Sequence, residues 1–127
     1  MIKFKRADHI HICVSPERLE EARAFYADVL GLQQIERPYF KAPGYWFAIS
    51  DIELHIGIEE PLPSTIRHSA FEVTDLAAAR ALLESKGVVC KTDTIIPGRD
   101  RFTFIDPFGN RMELLEYHPS NSPEGGG

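Results

Sequence analysis

Cysteine is scarce in this chain, and so are long apolar runs and any surplus of basic charge. Only Cys13 and Cys90 occur; their spacing fits no metal finger, and they read as reduced thiols of a cytoplasmic protein. No apolar run approaches a membrane span, and the opening MIKFKRADH lacks the apolar stretch of a signal peptide. Acidic residues outnumber basic ones, 19 to 14, for a net charge of −5. A nucleic-acid-binding face needs the opposite balance. What is present is a globular composition of 127 residues, 43% hydrophobic and 26% charged, enough for one compact domain with a real core. The tail SNSPEGGG, 120–127, is polar and glycine-rich and reads as disordered.

Two similar modules follow one another along the chain. DHIHICV, 8–14, alternates as a strand, and SPERLEEARAFYADVLG, 15–31, carries helix punctuation: Ser15 to cap, Pro16 in the first turn, Gly31 to stop. LQQIER follows, then a Pro/Gly loop, the aromatic strand YWFAI, 45–49, and its hairpin partner IELHIGI, 52–58. After the proline-broken linker 59–66 the order restarts: RHSAFEV as a strand, TDLAAARALLESKG as a capped helix, VVCKTD as a strand, then RFTFI, the turn DPFGN and RMELLEY. His9 precedes Val14 by the same five positions that separate His68 from Val73. A repeat this short predicts two half-domains sharing one core, because roughly 50 residues seldom bury enough surface alone. The expected organisation is a single domain, 1–119, with module one at 7–58, the linker at 59–66 and module two at 67–117.

Strand alternation sorts the ionisable residues. One face carries Ile10, Ile12, Val14, Leu54, Ile56, Ile58, Phe71, Val73, Met112 and Leu114, and should meet the helices. The other carries His9, His11, Cys13, Glu53, His55, His68, Glu72 and Glu113. If the sheets curl so that this second face is concave, imidazoles and carboxylates converge. Two histidines and a carboxylate in a cleft make a divalent-metal site with open positions. One strand histidine alone is more often a satisfied surface group; the set is what points to a site.

The ordered set DHIHICV, AFYADVLGL, ELHIG, RHSAFEVTDL and PGRDRFTFIDPFGNRMELLE resembles the vicinal oxygen chelate superfamily, the glyoxalase, bleomycin-resistance and extradiol-dioxygenase group, over about residues 7–117. The resemblance implies an α+β fold of two βαβββ modules, forming an incomplete, open mixed β-barrel with a helix packed outside each module. It also implies a divalent metal ion (Zn, Ni, Mn, Fe or Co), a small-molecule substrate and a homodimer. Carried onto matching positions, the metal ligands are His9, His68 and Glu113. The fourth is His55, or Glu53 under a two-residue shift of register. Glu113 is the candidate proton acceptor, with His55 or Glu53 opposite it.

Around these, His11 is read as pocket wall or hydrogen-bond donor, Trp46 or Phe102 as a surface for substrate, and Arg99 or Arg101 as a grip for a carboxylate or phosphonate. Cys13 is read as packing and His118 as solvated. The implied activity is that of a glyoxalase I-like lyase or isomerase. The alternatives are a drug- or metabolite-binding protein of the bleomycin-resistance type, without catalysis, and an Fe(II) extradiol-type dioxygenase. A fosfomycin-type thiol transferase fits the ligand set but lacks a convincing second-cation loop.

Overall fold

A computed structural model describes residues 1–119; the tail expected to be disordered lies outside the described residues. The chain divides into two compact units, one from Met1 to Leu62 and the other beginning at Pro63.

Unit one is a four-stranded mixed sheet of β1 (His9–Val14), β2 (Gln33–Ile35), β3 (Tyr45–Ile49) and β4 (Ile52–Ile58), in the order β1-β4-β3-β2. β1 runs parallel to β4, so the chain must cross over between them, and the helical segment does so. That segment is expected as one α-helix over 15–31. It forms instead a 3₁₀ turn at Pro16–Arg18, the short α1 (Leu19–Ala24) and a π turn at Phe25–Val29. The wide π turn, closed by the Leu30 N–H donating to the Phe25 carbonyl at 3.1 Å, puts both Phe25 and Tyr26 in the core. Tyr26 meets Phe47 at 6.4 Å, beside the fully buried Ala22, Leu54 and Ile56. Tyr45, on the same face, donates its hydroxyl to Glu20 and ties α1 to β3.

Unit two holds β5 (His68–Glu72), α2 (Leu76–Ser85), β6 (Arg99–Ile105) and β7 (Arg111–Tyr117), with sheet order β5-β7-β6. Asp75 caps α2 by accepting from Ala78 N–H at 3.0 Å, and Glu116 accepts the Leu76 N–H at 2.9 Å. Phe102, Phe104, Met112 and Leu83 form the core against α2, with the Arg80 guanidinium 5.6 Å from the Phe102 ring.

VVCKTD does not become a strand. It leaves one bridge, Lys91 to Thr103, because Arg80 takes the Cys90 carbonyl at 3.0 Å and the Thr92 hydroxyl at 2.7 Å. Those side-chain bonds satisfy groups that a ladder would otherwise use. The α+β class and the paired modules stand as expected, and neither sheet closes on itself. Among the described residues no helix is long and apolar enough to cross a membrane.

Candidate metal and substrate site

The polar face of the unit-one sheet is fixed by register. His9 lies opposite Glu53, and His11 opposite His55; Trp46 faces His55 from β3. Opposed residues share a face, so His9, Glu53, His11, His55 and Trp46 all project from the side away from α1. Trp46 stacks on His55 at 3.9 Å with planes 2° apart, and His55 stacks on His9 at 4.1 Å. His55 is thus clamped between two rings and only 7% exposed.

Its Nε2 lies 2.9 Å from Glu53 Oε1, so an Nε2–H donates to that carboxylate. His9 Nδ1 likewise donates to Asp8 Oδ2 at 2.9 Å, which leaves Nε2 as the ring nitrogen outside that pair. His11 lies over Gly57, where a Cβ would stand 2.7 Å from the ring. Partial desolvation, with the nearby charges of His55 and His9, pushes the His11 imidazole below its ordinary value.

In unit two, His68 Nδ1 is 2.8 Å from the Ile66 carbonyl. A carbonyl only accepts, so Nδ1 carries a proton and Nε2 is the nitrogen turned to the carboxylate. Nε2 lies 3.2 Å from Glu113 Oε1, itself buried at 6% exposure. Arg101 Nη1 reaches the same oxygen at 3.4 Å, while its Nη2 donates to the Thr94 carbonyl at 2.7 Å.

Glu113 also lies opposite Thr103, which donates to Asp93 at 3.1 Å. Arg111, opposite His68, reaches the same Asp93 oxygen at 3.1 Å. Among the described residues no three His, Cys, Asp or Glu side chains gather so as to hold a metal; they come as pairs.

Most of the residues singled out in the sequence lie on the polar faces; Phe102 does not. It lies opposite Leu114, one step off the Thr103–Glu113 pair, and so belongs to the α2 side. At 1% exposure it is core and borders a cavity of about 430 Å³ beside Asp75, Arg80 and Arg99. Its aromatic character misled because edge-strand parity, not composition, decides the face. Arg99 stacks on Tyr117 at 4.8 Å. Cys13 and Cys90 are thiols, and His118 pairs with Asp100 at 3.2 Å.

Sequence reasoning missed Asp8 as partner of His9, and Arg37, whose guanidinium packs on Gly44. Continuing the alternation of β2 past Ile35 would have found Arg37.

Two mixed half-sheets, each carrying a histidine–carboxylate pair on its polar face, define a glyoxalase-type α+β protein. Comparison makes the family explicit: residues 6–114 match the model of the Glyoxalase/Bleomycin resistance protein/Dioxygenase superfamily, and the chain belongs to that family. It is 33% identical to the uncharacterized protein YaeR of Escherichia coli K12, over 91% of this chain and 99% of that one. A Bacillus anthracis protein assigned to the glyoxalase family superposes with TM-score 0.84 at 34% identity, covering 93% of this chain and all of the other. The fosfomycin resistance protein FosX of Listeria monocytogenes, as a point mutant complexed with Mn(II) and 1S,2S-dihydroxypropylphosphonic acid, shares the fold. Its TM-score is 0.79 at 18% identity, over 96% of this chain and 99% of that one.

Proposed function

We propose that the chain is a metal-dependent enzyme of the vicinal oxygen chelate type, with His9, Glu53, His68 and Glu113 as its ligands for a divalent ion. The observation that carries this reading is the His68–Glu113 pair. Nδ1–H of His68 is committed to a carbonyl, and its Nε2 lies 3.2 Å from a buried carboxylate oxygen. A ring nitrogen and a carboxylate oxygen at that distance share a cation, either a proton on Nε2 or a metal ion, and the Arg101 guanidinium stands beside the same oxygen at 3.4 Å. His9 repeats part of the arrangement, its Nδ1–H held by Asp8.

Two imidazole nitrogens and two carboxylates suit Mn, Fe, Co, Ni or Zn. When bound, such an ion supplies Lewis-acid stabilisation to adjacent substrate oxygens.

The chain's own residues supply position and a proton acceptor. Glu53 is preferred to His55 as fourth ligand because it stands opposite His9 and is the more open of the two. His55, clamped by Trp46 and donating to Glu53, is then a positioning residue. Glu113, beside the Arg101 guanidinium, is the group placed to accept a proton from substrate. His11, Trp46 and Arg101 face the substrate; Phe102 does not. The reading includes a cytoplasmic homodimer acting on a small vicinal-oxygen compound, in lyase or isomerase chemistry.

Elemental analysis of protein purified without chelator tests the reading: a stoichiometric divalent ion supports it. Glu53→Gln should then weaken Mn(II) binding more than His55→Gln, and the reverse order would return the fourth ligand to His55. Stoichiometric binding of a small molecule by metal-free protein, without turnover, would replace the enzyme reading with the drug- or metabolite-binding one.

A further inference from the structure

The far end of the unit-one polar face carries an arginine that no acid among the described residues pairs with. Beyond β2 the alternation Gln33, Ile35 continues to Arg37, and beyond β3 the alternation Ala48, Trp46 continues to Gly44. Both therefore stand on the face of His9 and His11. The Arg37 guanidinium rests in the space that Gly44 leaves: a Cβ there would lie 3.1 Å from Nη2 and 3.2 Å from Cζ. Phe40 covers its plane at 4.7 Å, and Phe40 in turn leans on Trp46 at 6.1 Å.

Of its N–H groups, Nη2 donates to the Ala42 carbonyl at 3.0 Å, and Nε is buried without a partner. Among the described residues Arg37 makes no ion pair. A half-buried guanidinium without a carboxylate is costly, and a planar oxyanion is what its donor fork fits. His11 lies over the second clearing on this face, at Gly57, and the β3–β4 pairing of Tyr45 with Ile56, continued one step, sets Gly57 opposite Gly44. Among the described residues the nearby Glu59 carboxylate is engaged by the Cys13 thiol.

We propose that Arg37 and His11 form a subsite for the anionic group of the ligand, a carboxylate, phosphate or phosphonate. The ligand's remaining atoms run along the face toward His9 and Glu53. His9 and His11 are one pleat repeat apart, about 6–7 Å, which is the length of a small organic acid. The second half of this statement rests on the metal reading above; the anion subsite does not.

The test uses metal-free protein and a matched pair of probes, benzoate and benzamide, so that failure of the metal reading leaves it intact. Trp46 is the only tryptophan in the chain and stands in the ring row beside Arg37, so its fluorescence reads occupancy directly. Benzoate should bind about tenfold or more tightly than benzamide, as one charge-assisted pair would give. Arg37→Gln should erase the difference, Arg37→Lys should keep part of it, and Glu59→Gln should leave or strengthen it. The His11 ring resonances should shift with benzoate in the wild type and not in Arg37→Gln. Equal affinity for the two probes, an unchanged ratio in Arg37→Gln, or no binding of either at millimolar concentration would overturn the subsite.

Discussion

Replacing Asp106 with alanine removes the post on which the β6–β7 turn is built. Its carboxylate, in a residue only 3% exposed, accepts Phe108 N–H at 2.9 Å, Asn110 N–H at 2.8 Å and the Asn110 side-chain amide at 3.0 Å. Hydrogen bonds to a charged group contribute about 1.5–3 kcal/mol each. One acceptor shared among three donors does not give three independent terms, so the loss is about 3–4 kcal/mol. Against a whole stability of about 5–15 kcal/mol, that is a large fraction.

With a urea slope of about 2 kcal/mol per molar, the midpoint should fall by about 1.5–2 M. Far-UV circular dichroism is the suitable probe, because Trp46 reports on the other unit. The same turn sets the register that puts Glu113 opposite Thr103 and Ala70. A one-residue slip would carry Glu113 to the α2 side, so metal affinity should fall along with stability. Asp106→Asn keeps an acceptor oxygen and should lose about half as much. A loss under about 1 kcal/mol for the alanine variant would refute the reasoning.

Other outcomes follow from single contacts. Gly44→Ala should destabilise by about 2 kcal/mol or more in thermal or urea unfolding, because its Cβ would lie 2.4 Å from the Ile56 carbonyl oxygen, a backbone atom. Gly57→Ala meets only the His11 ring, which can swing outward; stability should change by under about 1 kcal/mol while the His11 NMR resonances move. Desolvation, with a hydrogen bond to the Glu59 carboxylate, raises the Cys13 thiol above its ordinary 9.0. Glu59→Gln should therefore lower it and quicken iodoacetamide labelling at fixed pH, with buried Cys90 as the slow internal control.

The legible parts of the chain were those where one local signal decided the outcome. Strict alternation placed Ile12 and Val14 toward the core and His9 and His11 away from it. Asp75 and Gly87 bounded α2 as capping chemistry requires. What escaped were outcomes decided by distant side chains. Arg80 captured the backbone of VVCKTD from ten residues away, and the need to bury both Phe25 and Tyr26 widened a helix into a π turn. Phe102 escaped because its neighbour Arg101 faces Glu113, which fixes Phe102 on the opposite side. That Glu53 rather than His55 stands opposite His9 is a fact of pairing that no single strand records.

The most direct measurement is a Mn(II) titration followed by electron paramagnetic resonance on wild-type, His68→Ala and Glu113→Gln proteins, with folding checked by circular dichroism. Removing a ligand should cost more than the about 10–100-fold typical of supporting residues, so both folded variants should bind about a hundredfold more weakly than wild type. Equal affinity in wild type and His68→Ala, or a free-ion spectrum throughout, would contradict the assignment of these side chains to a metal.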